Sequence, residues 1–559
     1  MSRRPAEGDL ATFGTTRYVN DKDVAVLQID NLPSNALSLQ IRCELLKGLQ
    51  RACDDPSVRA IVVVGSERAF CSGADIRQFD TPSYYAYPRT WHLAQAIEAA
   101  EKPVIAAIGG FAMGGGLEIA LAAHSRVAAA GAKLGLPEVK LGVIPAAGGI
   151  LRLPRLVGVA RAYELITEGK TFTAEEAQEW GLIDLICGSE LIERTKEYSK
   201  TLIDSPLRRT LSLHIGIDTN VLSFSERLQS SGALRHDPAR GAIARCFDAL
   251  LSEPTDVVDQ LVRQCSEKLV ASKRAKALRY QFMSQREVAR VGARAPPLPV
   301  EVVAVGGIDA QLAGRLASAG IPIHAADADL TLLPHRRVVL IELLPESHKV
   351  ALRRLSSDSL AGIATREPSV TQKILAGISA ADKIVEFGIT KPDHGQGVFE
   401  IVQRSSTPPE ITKALVEAAN RMNFVPVLTF HERIMPRLEG ALQSAFLELI
   451  NAGIEKNAIH AMLVEWGFSS DMVERLLRPL SRQGDERAVW QNVVPKDDIV
   501  GHCVAALGRE GARLVAEKVA PYPASVDIVA VFGLSFPAER GGPMFEMGWQ
   551  GSGVAEILS

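Results

Sequence analysis

"FAMGGGLEIALAAHSRVAAAGAKLGLPEV", residues 111–139, sets three glycines before one glutamate and brings a second glutamate twenty residues later. Glu118 and Glu138 stand among leucines, alanines and valines, where an ionised carboxylate is costly to bury. The preceding run "KPVIAAIGG" (102–110) has the pattern of a strand, and the stretch itself then reads as glycine turn, helix and strand. Gly114, Gly115 and Gly116 fall at the helix entrance, where backbone N–H groups have no intrahelical partner and can face a developing negative charge. A second glycine turn, "ERAFCSGADIRQF" (67–79), follows the strand "AIVVVGS" (60–66) and passes through Gly73 and Ala74. Two N–H donors from two turns are what an oxyanion hole for a carbonyl requires. Either turn alone equally serves to let a helix and strand pack closely. A single glutamate early in a helix likewise has an ordinary electrostatic use.

The rest of the chain bounds what such a site can belong to. At 559 residues it is too long for one core, and about three or four domains are expected. A formal net charge of −3, with 47% apolar and 23% charged residues, argues against a nucleic-acid or polybasic membrane surface. The seven cysteines are scattered without a CxxC pair, which suggests neither zinc nor a disulfide framework and fits a reducing compartment. No run reaches roughly 18 uninterrupted apolar residues, and neither end shows a targeting pattern, so a cytoplasmic protein is expected.

Up to about residue 295, short apolar strands alternate with helical stretches such as "LSLQIRCELLKGLQRACDD" (37–55), an α/β pattern. From about 190 to 290 the spacing is helical, ending in the charged segment "EKLVASKRAKALRYQFMSQREVAR" (267–290), expected as an exposed or bridging helix. "ARAPPLPV" (293–300) marks a boundary. Beyond it "EVVAVGG", "IDAQLAGRLASAG" and "IPIHAAD" (301–327) form a β-α-β pattern, "RRVVLIELL" (336–344) adds a strand, and after about 425 the pattern is mostly helical.

Four motifs in order, "ERAFCSGADI", "KPVIAAIGGFAMGGGLEIALAAHSRVA", "GLPEVKLGVIPAAGGILRLPRLVG" and "LITEGKTFTAEEAQEWGLID", resemble the enoyl-CoA hydratase (crotonase) family over residues ~15–190. The resemblance implies a thioester carbonyl polarised by the N–H groups of Ala74 and Gly115, with coenzyme A bound alongside. It makes Glu118 and Glu138 an acid–base pair sharing one water. The implied reaction is hydration of a 2-trans-enoyl-CoA to a 3-hydroxyacyl-CoA, with no cofactor or metal. The chemistry agrees: the enolate-like charge on the thioester oxygen needs stabilising, C2 needs a proton and the attacking water must lose one. His124 receives no role, because no partner spacing supports a metal.

In the second half, "VEFGITKPDHGQGVFEIVQRSSTPPEITKALVEAANRMNFVPVLT" (385–429), "IVGHCVAALGREGARLVAE" (499–517) and "GLSFPAERGGPMF" (533–545) resemble the 3-hydroxyacyl-CoA dehydrogenase part of the multifunctional enzyme of β-oxidation. This half departs from that family's pattern. A dinucleotide fingerprint G-x-G-x-x-G is replaced by "GGIDAQLAG" (306–314), with Asp309 where two phosphates belong, and Asp327 alone is weak support for a ribose contact. Glu400 is kept, but Gly388 stands at the family's catalytic histidine, Pro436 at its asparagine and "TREPS" (365–369) at its S-N-T-S stretch. His394 could replace the histidine only through a register shift. NAD binding is therefore doubtful and dehydrogenase activity is expected to be lost.

These expectations define an α/β chain with a crotonase β-β-α spiral at residues 1–190 and its helical completion and linker helix at 191–294. A reduced Rossmann-like domain at 295–425 and helical dehydrogenase-type C-terminal domains at 426–559 follow. The expected function is an enoyl-CoA hydratase with a silent dehydrogenase half, acting on an acyl-CoA thioester as a monomer, with a thiolase or dehydrogenase as a candidate protein partner. The alternatives are an enoyl-CoA isomerase, a dehydratase of an unusual CoA thioester, or a non-catalytic partner subunit. A wall built by "IRQFDTPSYYAYPRTW" (76–91) would suit a bulky or ring-bearing acyl group, unless that stretch is only a surface cover.

Overall fold

The computed structural model describes residues 10–12, 14–216, 223–230, 237–290, 300–304, 310–321, 323–325, 338–342, 360–364, 384–390, 396–404, 407–480 and 498–549. They belong to two compact units, Met1–Ala275 and Lys276–Ser559.

The first unit is built on the apolar runs that the sequence places between its helices. Strands β1 (Leu10–Thr12), β2 (Thr16–Asp21), β3 (Val24–Ile29), β4 (Ala60–Val64) and β5 (Val104–Ile108) lie side by side. β1, β2 and β3 pair antiparallel, and from β3 onward the pairing is parallel. β4 and β5 are buried at every position, as expected of parallel strands covered on both faces. Between β3 and β4 runs the helix Leu39–Asp54, which begins where the Ser38 side chain accepts from the Ile41 N–H. It turns Ile41, Leu45, Leu49 and Ala52 onto the core.

The sheet continues through β7 (Ser125–Ala129) and β10 (Leu185–Cys187). A smaller sheet stands apart from it, made of β6 (Phe111–Met113), β8 (Lys133–Gly135) and β9 (Thr171–Thr173). Its β6–β8 pairing is parallel, with Met113 opposite Gly135. His124 is buried as a structural residue: its Nδ1 accepts from the Val104 N–H at 2.9 Å, and its Nε2 lies 3.3 Å from the Glu98 carbonyl.

In the second unit seven strands form one sheet in the order β12 (Ile323–Ala325), β11 (Val300–Ala304), β13 (Val338–Glu342), β14 (Leu360–Ala364), β15 (Ile384–Thr390), β16 (Gly397–Gln403), β17 (Phe424–Phe430). All neighbours are parallel except β15 and β16. The helices Ile434–Asn451, Ile499–Ala516 and Pro523–Gly533 share a core that includes Leu438, Phe446, Leu507 and Ile528. No helix among the described residues is long and apolar enough to cross a membrane.

The segment 267–290 is expected as an exposed or bridging helix. It is divided at Ser272 between the helices Thr255–Ala271 and Lys273–Arg290. In the second helix Ala277, Gln281 and Ser284 are buried. Their spacing of four and three residues forms a stripe of small and amide side chains, which a count of charges overlooks. Tyr280 on the same helix donates to Asp527 at 2.8 Å, and burial pushes the Asp527 carboxyl up to about 8.

Candidate active site

The separation of twenty positions between the two glutamates is closed by the β6–β8 pairing. Gly114, directly after β6, has φ +51°, a conformation that glycine adopts without cost, and its N–H donates to the Gly135 carbonyl at 2.9 Å. The helix Gly115–Ala122 starts there, placing Glu118 in its first turn. On the neighbouring strand the chain leaves Gly135 and enters the 3-10 turn Glu138–Leu141. A Cβ added at Gly114 would lie 2.9 Å from Glu138 Oε1, so the second carboxylate sits against the glycine turn that launches the first.

The two carboxylates are held differently. Glu118 is buried, and its Oε1 accepts from the N–H groups of Ala147 at 2.7 Å and Gly149 at 2.8 Å. Burial pushes its carboxyl up to about 7, while those two donors and the Arg152 charge pull the other way. Glu138 Oε2 is shut off from solvent and has no hydrogen-bond partner among the described residues. Burial, with the neighbouring Glu118 charge, holds the Glu138 carboxyl well above the usual carboxylate range. A pair pushed to different degrees can carry one proton between them.

The second glycine turn meets the first. Cys71 and Ala112 form a parallel bridge, and the Met113 N–H donates to the Cys71 carbonyl at 2.9 Å. Gly73 has φ +92°, and a Cβ there would lie 2.8 Å from the Met113 oxygen and 3.1 Å from the Gly115 nitrogen. The Ala74 nitrogen is 3.5 Å from where a Gly115 Cβ would sit. Neither Ala74 nor Gly115 donates its N–H to an acceptor among the described residues. Both residues, with Glu118 and Glu138, line a cavity of about 150 Å³. Chemically, the arrangement offers two unengaged donors for an oxygen that gains negative charge, beside two carboxyl groups of unequal proton affinity. Ile76, Phe79, Tyr84 and Trp91 form part of the wall, and the Arg263 guanidinium lies 3.6 Å from the Trp91 ring centre.

A protein of Bacillus subtilis (strain 168) named probable enoyl-CoA hydratase is 42% identical to this chain, over 37% of this chain and 84% of that one. The family model described as enoyl-CoA hydratase/isomerase matches residues 20–211. The chain belongs to the enoyl-CoA hydratase/isomerase family. Its first unit is an enoyl-CoA hydratase domain of the crotonase fold, and the protein is an enzyme. The likeness extends further along the chain: the peroxisomal bifunctional enzyme of Danio rerio is 28% identical over 94% of this chain and 91% of its own length. The corresponding enzyme of Homo sapiens is 26% identical over 93% and 91%.

The family context leaves the Ala147 and Gly149 donors, Arg152 and Glu98 as the contacts that sequence reasoning did not single out. The only signal was "PAAGG" (145–149), whose glycines carried no role. In the second unit Gly388 lies opposite Glu400 across β15 and β16. A Cβ at Gly388 would fall 2.5 Å from Arg433 Cδ and 2.6 Å from its Nη1, so the Arg433 side chain fills that space. Glu400 is fully buried, its Oε1 accepts from the Ile434 N–H at 2.6 Å, and burial pushes it up to about 7. Pro436 is the third residue of the helix Ile434–Asn451. Residues 305–309 with Asp309, and also Asp327, "TREPS" and His394, lie outside the described residues.

Proposed function

We propose that the chain adds water across the double bond of a 2-trans-enoyl-CoA, with Glu118 as base and Glu138 as acid. The supporting observation is the unequal treatment of the two carboxylates beside two unengaged N–H groups. The thioester oxygen takes the Ala74 and Gly115 N–H groups. Glu118, stabilised as the anion by two backbone donors, removes a proton from water as the oxygen attacks C3. Glu138, whose Oε2 has no hydrogen-bond partner among the described residues, delivers its proton to C2. Hydroxyl and hydrogen are thus added, and the proton gained by Glu118 replaces the one lost by Glu138 once solvent exchange resets the pair. The aromatic wall at Phe79, Tyr84 and Trp91 suits a bulky or ring-bearing acyl group.

The same proposal makes the second half a Rossmann-like module without dehydrogenase activity. The strand order and parallel pairing around β11 support the architecture. The loss of activity is supported by the missing imidazole at Gly388 and by Arg433 in its space. We also propose a monomer, supported by the helical segments of the second unit packing on one another, in a reducing compartment such as the cytoplasm. All seven cysteines as unpaired thiols suit such a compartment.

The test is the ultraviolet absorbance of crotonyl-CoA and a longer 2-trans-enoyl-CoA with the purified full chain, followed by NAD in the same cuvette. The conjugated thioester band is expected to disappear without NADH. Retention of the band by folded protein removes the hydratase reading in favour of an isomerase or an unusual CoA thioester, and NADH formation removes the silent-module reading. A pH series adds a second expectation. Because Glu118 must be ionised to act as base and its carboxyl lies at about 7, kcat/KM should fall about tenfold per pH unit below that value. A profile flat down to pH 5 would exclude Glu118 as the base.

A further inference from the structure

The support beneath Glu118 reaches one layer deeper than the cavity. Arg152, on the helix Gly149–Val157, has a side chain only 2% exposed. Its Nε and Nη2 donate to Glu98 Oε2 at 3.0 and 2.7 Å, and its Nη1 donates to the Ala147 carbonyl at 3.1 Å. Ala147 is the residue whose N–H holds Glu118. Gly148, between the two donors, has φ +110°, and a Cβ there would lie 1.7 Å from Arg152 Nη1, so the guanidinium occupies the space a side chain would need. The far end is fixed as well, since Glu98 Oε1 accepts from the Leu211 N–H at 2.7 Å. The chain of contacts therefore runs Leu211, Glu98, Arg152, Ala147, Glu118.

We propose that Arg152, anchored by Glu98, is a positioning residue for Glu118, fixing the 147–149 turn that holds the carboxylate and supplying the positive charge that favours its ionised form. This rests on the assignment of Glu118 as the base. A buried ion pair alone is weak support for stability, because desolvation offsets most of the attraction. Here the pair has a second consequence: among the described residues the guanidinium is a cation acting directly on Glu118, and it opposes the effect of burial.

Among the other groups packed against the Gly115–Ala122 helix, the buried Arg126 of β7 donates to the Ala120 and Ala123 carbonyls at its C-terminal end. That helix carries no titratable residue besides Glu118. The helix Thr90–Ala99 contributes His92 and Glu98, and the helix Gly149–Val157 contributes Arg152 and Arg155. The turn Glu138–Leu141 brings Glu138 and Lys140, the latter exposed, and Cys71 is a buried thiol that burial keeps protonated. Burial is what disfavours ionisation of Glu118, and Arg152 with the two backbone donors opposes it.

The experiment is the kcat/KM–pH profile with crotonyl-CoA for the full chain, wild type against Arg152→Gln, Arg152→Lys and Glu98→Gln, with circular dichroism confirming the fold. Arg152→Gln removes the charge and should move the acidic limb up by about one pH unit, the lower end of what a nearby opposite charge does. Arg152→Lys keeps the charge and should hold the limb within a few tenths of wild type while lowering turnover. Glu98→Gln leaves the Arg152 charge uncompensated and should move the limb down. A purely structural pair would lower activity without moving the limb in opposite directions. An unmoved limb in Arg152→Gln overturns the proposal. If that variant does not fold, Glu98→Gln decides, with a downward shift supporting the proposal and no shift overturning it. Glu118→Gln separates the two layers: normal turnover there defeats the base assignment itself, whereas loss of turnover with an unmoved limb defeats only the role of Arg152.

Discussion

Glu118→Gln is expected to lower enoyl-CoA hydration at least ~100-fold while the protein still folds and binds acyl-CoA. The amide is nearly isosteric, and its oxygen can go on accepting from the N–H groups of Ala147 and Gly149. What disappears is the ability to take a proton from water. Glu138→Gln should cost at least as much for the complementary reason, because an amide cannot deliver a proton to C2 and recover it. Its fold should also be spared, since Glu138 Oε2 has no hydrogen-bond partner to lose among the described residues. Steady-state turnover of crotonyl-CoA, with binding of a saturated acyl-CoA as control, reads both effects. Glu400→Gln supplies the contrast: Glu400 belongs to the second unit, and its loss should leave hydration unchanged. Near-normal turnover in both Glu118→Gln and Glu138→Gln would eliminate the two-carboxylate mechanism.

How much of this site was legible in the sequence depends on how locally each part is encoded. The glycine turn before Glu118 is written in consecutive residues, because a positive φ at Gly114 and a helix entrance at Gly115 are local requirements. That Glu138 returns to the same place follows from β6 pairing with β8, two strands of three residues each that are too short to carry a legible pattern. The resemblance supplied the pairing of carboxylates that spacing alone left open. The donors to Glu118 lie 29 and 31 residues away, and the Arg152–Glu98 contact spans 54. No periodicity encodes a contact at that separation, so these groups become visible only when the helices Thr90–Ala99, Gly115–Ala122 and Gly149–Val157 pack.

The second half shows the same division. Alternation of strand and helix patterns located β11, the helix Ala310–Ser318, β12 and β13. Comparison with the family motif places Gly388 at the family's histidine position. It could not show that the position has been filled, because Arg433 comes from beyond β17 in sequence and reaches β15 only in the folded sheet. The helix Lys273–Arg290 runs across the boundary between the two units, as the bridging alternative has it, but it is not simply exposed. Its high charge drew attention away from a narrow buried stripe of Ala277, Gln281 and Ser284.

Gly73→Ala should reduce kcat by about 10²–10³ with a smaller effect on KM, the range seen when one oxyanion-hole donor is lost. Two constraints meet at this glycine. Its φ of +92° is strained for any residue with a Cβ, and that Cβ would press on the Met113 oxygen at 2.8 Å and the Gly115 nitrogen at 3.1 Å. Both neighbours are backbone, so relief must come from moving one turn away from the other. Ala74 and Gly115 present their N–H groups from those two turns, and separating them by a fraction of an ångström misaligns the pair against a carbonyl oxygen. The strain by itself costs about 1 kcal/mol or somewhat more, too little to unfold a domain of ordinary stability. Gly131→Ala isolates that part: Gly131 has φ +72°, an added Cβ there meets nothing within 4 Å, and it does not line the cavity. It should lower the melting temperature by a few degrees and leave kcat intact. If Gly73→Ala behaves like Gly131→Ala, losing stability but not turnover, the thioester oxygen is not held between Ala74 and Gly115.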